Sequence, residues 1–508
     1  MMRITGRAFG PLPPVTLEEL VPPDHFYRHL EDTLNVRFVR ELVREAYAER
    51  GRPSIDPVVF FKLQLILFFE GIRSERKLVE TASLNLVHRW YLGYALDEAL
   101  PDHSSLTRIR QRLGIDIFQH FFEQVVDLCR EAELVCGREL YFDATKVEAN
   151  AGIPSLIPRF HYETTTHVAD RIANELGEEG EQPAPVENNL PAGIVRLPIA
   201  ANAEGMPTAA DPPWRLLEER RLDSHRPSHR GYRRTSDFRV SPTDPDASPM
   251  WDWGAIRLGY HDHYVVDGGK RRIILATLVT PANVMESQAM RDLLWRVCFR
   301  REIWPHQVTG DAKSGTTENI VAIEDAGIRA YVPLTDFEHR STCYGRDAFV
   351  YDAVEDAYHC PQVHPLPLAP SKRTEGVVVY RGDPAICNAC PVKAECTTGD
   401  RGRTIQRSVY EDYLEKVRGY HTTEAYQKAI RKRQVWVEPL FAEAKEWHGL
   451  RRLRLRGLRN ANSQGLLIAA GQNLKRFLAA TGWGRRHAPC GSLVALLRGP
   501  WQISAVSG

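Results

Sequence analysis

The chain has 508 residues, of which 43% are hydrophobic and 26% are charged, and its formal net charge is +1. These values are ordinary for a soluble globular protein of two or three domains. The nine unevenly spread cysteines argue against a secreted disulfide scaffold. We found neither a secretory signal nor an apolar run long enough to cross a bilayer, so we expect a cytoplasmic protein without a membrane partner.

Residues 1 to about 135 are predicted to be helical. The stretch "SIDPVVFFKLQLILFFEGI" begins with the cap candidates Ser54 and Asp56, places Pro57 in the first turn, and continues with apolar residues. The stretch "DHSSLTRIRQRLG" predicts a helix that carries three arginines. Such a face contacts DNA in some proteins and is merely solvated in most, so both interpretations stay open.

The stretch "RELYFDATKVEANA" (138–151) predicts a buried strand with Asp143 on its line. Burying a charge costs several kcal/mol unless something pairs with it. Asp143 is therefore either a strand-end residue that caps the next turn or one member of a site completed from elsewhere in the chain.

Residues 153–250 are rich in Pro, Gly, Ala and acids and show no sustained period, which predicts a linker or a weakly ordered insertion. Near its end, "SPTDPDA" contains Asp244 and Asp246. These carboxylates are candidate metal ligands, but the Pro-rich pattern favours a turn.

From residue 256 the pattern predicts a hairpin, a helix, a strand, a helix and a strand, which together indicate a mixed α/β sheet. A short predicted strand leads to Asp311, in the same way that a strand leads to Asp143. Carboxylates that follow sheet strands lie where α/β folds put their sites. Glu438 and Lys445 are seven residues apart on a predicted helix and so share a face, although Pro439 leaves the phase before residue 438 open.

Two aspartates at neighbouring strand ends and a glutamate on a packing helix suit two Mg²⁺ ions, since Mg²⁺ takes few carboxylates and keeps water and phosphate oxygens as its other ligands. Such a metal pair clamps the attacking and leaving oxygens in phosphoryl transfer. We therefore predict that Asp143, Asp311 and Glu438 bind Mg²⁺, or Mn²⁺ in its place.

A second candidate metal site lies in "YHCPQ" and "ICNACPVKAEC". The four cysteines Cys360, Cys387, Cys390 and Cys396 stand within a short stretch of chain and include a CxxC pair. This pattern is typical of a structural four-thiolate zinc site, and the alternative is a set of reduced buried thiols.

The near-zero net charge hides a basic segment between Arg431 and Arg476, where basic side chains far outnumber acidic ones. A local positive field attracts a polyanion whatever the total charge. The arginines predicted to bind DNA are Arg431, Arg433, Arg451, Arg452, Arg454 and Arg456.

The order of these motifs resembles that of bacterial insertion-sequence transposases of the DDE superfamily. The pieces that carry the resemblance, spread over most of residues 50–480, are "PDHSSLTRIRQRLG", "FDATKVEANA", "SPTDPDA", "LGYHDHYVVDG", "VTPANV", the strand before Asp311, "VEPLFAEAKEWHGLRRLRLRG" and "NLKRFL". The resemblance implies a ribonuclease-H-like mixed sheet flanked by helices. It implies a helical DNA-binding or dimerisation domain at 1–135, a catalytic domain at 136–480 with insertions at 153–250 and 336–410, and a tail at 481–508.

The resemblance also implies a function. Asp143, Asp311 and Glu438 would be the metal-binding catalytic triad and Lys445 a phosphate contact. The enzyme, as a homodimer associated with the nucleoid, would cleave DNA at the inverted repeats that end its element and join the freed ends to target DNA. A metal-dependent nuclease without strand transfer and a catalytically decayed DNA-binding derivative are the alternatives. The chain departs from the family in two places: Lys313 and Ser314 replace a Gly-Tyr pair, and Gln434 replaces an arginine.

Overall fold

The computed structural model describes residues 15–44, 55–166, 168, 238–334, 343–369 and 376–483. Its helices are α1 (Leu17–Leu20), α2 (Phe26–Thr33), α3 (Phe38–Leu42), α4 (Pro57–Phe69), α5 (Glu75–Leu84), α6 (Leu86–Leu92), α7 (His103–Glu131), α8 (Glu286–Arg301), α9 (Thr317–Asp325), α10 (Pro384–Ala389), α11 (Lys393–Cys396), α12 (Glu411–His421), α13 (Glu424–Trp447) and α14 (Leu458–Ala480). Its strands are β1 (Glu139–Glu148), β2 (Ile157–Pro158), β3 (Arg239–Val240), β4 (Ser248–Asp252), β5 (Ala255–Asp267), β6 (Ile274–Pro281), β7 (Gln307–Thr309), β8 (Arg329–Tyr331), β9 (Val350–Asp352), β10 (Ala357–His359), β11 (Pro365–Pro367), β12 (Val377–Arg381) and β13 (Thr404–Ser408).

A mixed sheet forms the centre of the molecule. Strand β1 pairs with β5 antiparallel on one side and with β7 parallel on the other, and β8 continues the parallel part beyond β7. Strand β5 is long enough to pair antiparallel with β6 along one half and with β4 along the other. The mixed α/β sheet predicted from the sequence is thus confirmed, together with the hairpin, helix, strand, helix and strand that follow one another in it.

The N-terminal region is helical, as predicted, and its helix starts follow from local chemistry. Asp56 is the N-cap of α4, where its side chain accepts a hydrogen bond from the Val58 amide at 2.9 Å, and Pro57 occupies the first turn. Asp102 caps α7 in the same way. Helix α4 is apolar almost all round and is buried almost all round, as expected for a helix inside a core.

These N-terminal helices do not enclose a core of their own. Their buried side chains belong to one hydrophobic cluster that also contains the inner residues of β1, β5 and β6 and of the C-terminal helices α13 and α14. Gly471 of α14 lies so close to Phe68 of α4 that an added Cβ would stand 2.6 Å from the ring. The first and last parts of the chain are therefore packed into one unit with the sheet.

Helix α14 also completes the hydrogen bonding of the sheet along β6. The Asn473 side chain accepts from the Ile274 amide at 2.9 Å and donates to the Ile274 carbonyl at 2.8 Å. Asn462 makes the same pair of bonds with Val279, both at 2.9 Å. Eleven residues of helix and five residues of strand both span roughly 16 Å, so the two amides match the strand's free groups. A buried strand edge without partners would be costly, and this arrangement avoids that cost.

The Cys-rich segment forms a small separate unit. Strands β9, β10 and β11 make one sheet and β12 and β13 make another. Their own cluster of buried residues consists of Phe349, Tyr358, Leu366, Tyr380 and Ile405. Such a small cluster offers little stabilisation by itself.

Most of the predicted insertion at 153–250 lies outside the described residues, and its predicted weak order stays a prediction. The same holds for most of the predicted tail at 481–508. Within the described ranges, no helix is both long and apolar enough to cross a membrane.

Candidate active site

Asp143 lies in the middle of β1, the strand that joins the antiparallel and parallel parts of the sheet. Its side chain is only 15% exposed. One carboxylate oxygen, Oδ1, accepts a hydrogen bond from the Ala144 amide at 2.9 Å, and Oδ2 lies 3.0 Å from Nη1 of Arg433 on α13. The buried charge that the sequence left without a partner therefore has an arginine beside it.

Arg433 does not fully offset the free-energy cost of burying the Asp143 carboxylate. Burial raises the pKa of Asp143 to about 6, Arg433 acts in the opposite direction, and the nearby carboxylates Asp311 and Glu438 raise the pKa further. A carboxylate that is destabilised by its surroundings favours any additional cation that reaches it. The electrostatic effect also indicates that Asp311 and Glu438 are close to Asp143.

Asp311 follows β7, the parallel neighbour of β1. Parallel strands end at the same edge of a sheet, and Thr309 of β7 is paired with Tyr141 of β1. Asp311, two residues after Thr309, therefore lies beside Asp143, which is two residues after Tyr141. The residue Ser314 holds the carboxylate: its amide donates to Asp311 Oδ1 at 3.0 Å and its hydroxyl donates to the same oxygen at 2.8 Å. The other oxygen of Asp311 receives no bond from Ser314. Asp143, Asp311 and Ser314 line one small cavity.

Glu438 and Lys445 lie on α13, which continues through Pro439 without ending. Proline cannot donate to the carbonyl four residues earlier, which is that of Val435. The Arg272 guanidinium approaches this carbonyl at 3.5 Å. The helix is thus kept regular enough for Glu438 and Lys445 to share a face, as the sequence predicted.

The two side chains have different surroundings. Glu438 is exposed, whereas Lys445 is partly buried, and burial lowers the pKa of its ammonium against the opposing attraction of Asp252 and the fully buried Asp262. Among the described residues, none forms a hydrogen bond or ion pair with Lys445.

Asp143, Asp311 and Glu438 offer hard oxygen donors around a cavity with excess negative charge, and this donor set fits Mg²⁺ or Mn²⁺. The carboxylates are not drawn into one tight group. Within the described ranges, the one set of three ligand side chains whose atoms all lie within 4.8 Å of one another is Asp352, Glu355 and His359, near β9 and β10. His359 and Glu355 form an i,i+4 pair at 3.4 Å, which is an ordinary surface contact.

The predicted DNA-binding arginines divide into two groups. Arg433 is turned to Asp143, and Arg454 lies 3.2 Å from Glu75 of the N-terminal region, beside the buried Arg110 that also pairs with Glu75. The other four, which are exposed, are Arg431, Arg451, Arg452 and Arg456. The inward arginines join parts of the protein, so only the exposed group has its charge available to a polyanion.

Arg110 lies on α7, the helix that was predicted from the sequence to carry three arginines. It is only 4% exposed, whereas its neighbours Arg108 and Arg112 are exposed. The three arginines therefore do not form a single solvent-facing surface.

The cysteines Cys360, Cys387, Cys390 and Cys396 line one cavity in the Cys-rich unit. Cys360 is held in a tight turn, where its sulfur accepts from the His364 amide at 3.3 Å. Burial raises the pKa of the Cys396 thiol, Arg403 opposes this, and the other three thiols raise the pKa further. A side chain at position 382 would meet the Cys387 sulfur at 2.9 Å, so Gly382 leaves this space to the sulfurs. Four thiolates are the donor set of a structural zinc site, but no three of these described sulfurs lie within 4.8 Å of one another.

The "SPTDPDA" segment is a turn, and the structure gives it a role that the sequence did not reveal. Asp244 Oδ1 accepts hydrogen bonds from the Tyr260 hydroxyl and from the Gly457 amide. Asp246 Oδ2 accepts from the Leu458 amide at 2.7 Å. Gly457 and Leu458 begin α14, so both carboxylates bind the positive end of this helix rather than a metal.

The sequence did not reveal the roles of three residues at the candidate site. Ser314 had a detectable signal, because an aspartate followed three residues later by serine is typical of a side-chain-stabilised turn. Arg433 and Glu286 had no such signal in the sequence. Glu286 begins α8 and lines the same cavity as Asp143. Its position there depends entirely on how α8 packs against the sheet.

Comparison with protein families identifies the chain. Residues 15–112 match the family described as "Transposase domain (DUF772)". Residues 359–478, which include Glu438, Lys445 and the four clustered cysteines, match the family described as "Transposase DDE domain". Both matches support an insertion-sequence DDE transposase, in agreement with the resemblance found in its motifs.

Neither matched range contains Asp143 or Asp311. No curated protein and no solved structure matches the chain.

Proposed function

We propose that the protein cuts DNA at the ends of its own element and joins the freed ends to target DNA, using a ribonuclease-H-like core. The observation that carries the proposal is that Asp143 and Asp311, which follow the line of adjacent parallel strands, line one cavity beside the helix that bears Glu438. The antiparallel strands on the other side of β1 are consistent with this type of core.

In this proposal Asp143, Asp311 and Glu438 hold two Mg²⁺ ions. The chemistry that these ions would supply is activation of the attacking water and stabilisation of the leaving oxygen of a phosphodiester. Water attacks phosphorus, the bond to the 3′ oxygen breaks, and this oxygen leaves as a 3′-hydroxyl after taking up a proton. The 3′-hydroxyl then loses its proton and attacks a phosphorus of the target strand; a new phosphodiester bond forms, the bond to the target's own 3′ oxygen breaks, and that oxygen leaves as a 3′-hydroxyl after taking up a proton.

The chain's own residues have three further tasks. Arg433 contacts Asp143 Oδ2. It would release this oxygen when the carboxylate binds a metal ion. Ser314 keeps Asp311 oriented through two bonds to Oδ1. Lys445 contacts a phosphate, and the exposed arginines Arg451 and Arg452 bind the DNA backbone without reading its sequence.

We further propose a homodimer, since two element ends must be held together, and a structural zinc at the four clustered cysteines. A four-thiolate site has no open coordination position and would stabilise the Cys-rich unit without taking part in catalysis. As a DNA enzyme that carries no membrane segment in its described part, the protein would act at the nucleoid in the cytoplasm.

The test uses duplex DNA that includes the sequence flanking the gene, with Mg²⁺ and with EDTA as the metal-free control. Asp143→Asn, Asp311→Asn and Glu438→Gln should each keep DNA binding and lose cleavage, whereas the exposed control Asp97→Asn should cut normally. Joined products support the transposase. Cleavage without joining indicates the nuclease alternative, and cleavage by Asp143→Asn would refute the assignment of the site.

A further inference from the structure

The pair Lys313–Glu286 occupies the opening of the catalytic cavity. Lys313 follows Asp311 by two residues, and its ammonium lies 2.6 Å from Oε1 of Glu286, the first residue of α8. Glu286 is 12% exposed, whereas Lys313 is 64% exposed. The carboxylate is thus fixed in the wall, and the lysine reaches it from the solvent side.

Glu286 separates two spaces. On one side it lines the small cavity with Asp143 and Asp311. On the other side it lines, with Lys313, a groove of about 660 Å³. Further polar residues of this groove are His261, Asn283, Thr316 and Arg418. A DNA strand that is cut beside Asp143 and Asp311 would continue past Glu286 into this groove.

The ion pair is open to water on the lysine side, so solvent weakens the attraction and an incoming phosphate can compete with Glu286 for the ammonium.

We propose that Lys313 binds the DNA phosphate next to the phosphodiester that is cut, and that Glu286 is a positioning residue that holds Lys313 at the opening until DNA arrives. The inference deepens the proposed function and depends on it for the identity of the scissile bond. The ligand chemistry is a nucleic-acid backbone phosphate, and no base contact is required.

The test measures binding of a labelled duplex of the DNA flanking the gene to the full-length chain, in Ca²⁺ to prevent cleavage, over a range of salt concentrations. Loss of one phosphate contact should lower the slope of log K against log salt by about 0.9. We expect this decrease for Lys313→Ala and its restoration by Lys313→Arg. Glu286→Gln should keep the slope and tighten binding a few-fold, because the ammonium no longer has a competing carboxylate.

A matched control is available in Lys416, whose ammonium lies 2.7 Å from the buried Glu324 and which is 54% exposed, away from the cavity. Lys416→Ala should leave the slope unchanged. An unchanged slope in Lys313→Ala, or a loss that Lys313→Arg does not restore, would overturn the proposal. Loss of DNA binding in Glu286→Gln would also overturn it, since Glu286 would then act on the DNA itself.

Failure of this proposal can be told apart from failure of the proposed function. If Asp143→Asn still cuts DNA while Lys313→Ala lowers the salt slope, the catalytic assignment is wrong and the phosphate contact remains. If Asp143→Asn is inactive while Lys313→Ala binds with an unchanged slope, the catalytic assignment stands and Lys313 does not bind a DNA phosphate.

Discussion

Replacing Asp143 by asparagine should stabilise the metal-free protein at neutral pH while removing its activity. The pKa of Asp143 is raised from 3.8 to about 6, chiefly by burial. The folded state therefore keeps a proton that the unfolded state has already lost, and the free energy of unfolding falls as the pH rises from about 4 to about 6. A shift of roughly two units corresponds to about 3 kcal/mol at pH 7 and above.

Asparagine is close in shape to the protonated carboxyl group and retains an oxygen that can accept the bond from the Ala144 amide. Urea unfolding in EDTA should therefore show Asp143→Asn to be up to about 3 kcal/mol more stable than the parent at pH 7.5. Near pH 4 the difference should nearly vanish, because the parent carboxyl is then neutral in the folded state. Asp97→Asn, which changes an exposed aspartate, serves as the control for the substitution itself.

Metal should cancel most of this difference. At a concentration 100 times its dissociation constant, Mg²⁺ stabilises a protein that binds it by about 2.7 kcal/mol. This gain should appear in the parent and be lost or strongly reduced in Asp143→Asn. A variant that is no more stable than the parent at pH 7.5 in EDTA would refute the reasoning, because burial would then not be destabilising the charged carboxylate.

Three further predictions concern other parts of the chain. Replacing Arg451, Arg452 and Arg456 together by alanine should weaken binding to all DNA sequences alike and lower the salt slope by up to about 2.7, at about 0.9 per phosphate contact; loss confined to one sequence would indicate base reading instead. Metal analysis should find about one zinc per chain, and Cys387→Ser should increase hydrogen exchange in the Cys-rich unit before the core is affected; unchanged zinc content would contradict the site. Asn473→Ala should lower the free energy of unfolding by about 2–4 kcal/mol, because a buried amide and a buried carbonyl of β6 lose their partner; a change below about 0.5 kcal/mol would show that the strand edge finds another partner.

Local sequence patterns were sufficient for the elements that local chemistry controls. The start of α4 at Pro57 follows from the cap residue Asp56, and the strand around Asp143 follows from its β-branched and aromatic neighbours. The turn at Asp244 follows from its prolines. In each case the residues that decide the structure lie within a few positions of one another.

Long-range packing decided what these elements do. The sequence could assign Asp143 to a strand, but only the pairing of β1 with β7 brings the chain at Asp311 beside it. Likewise, the sequence predicted that Arg433 and Arg454 bind DNA, because they lie in a basic segment. In the folded chain Arg433 lies beside Asp143 and Arg454 lies beside Glu75. A count of charges carries no information about the direction in which each side chain points.

The sequence by itself determined the family, the mixed sheet and the residue types of a carboxylate site. Only the tertiary structure decided that the N-terminal helices share a core with α14, that Glu286 lines the same cavity as Asp143 and Asp311, and that the amides of Asn462 and Asn473 complete the edge of β6. The physical reason is that propensity, capping and periodicity act over a few residues. Burial, pKa shifts and ion pairs depend on contacts between residues that are one hundred or more positions apart, and these exist only after the chain has folded.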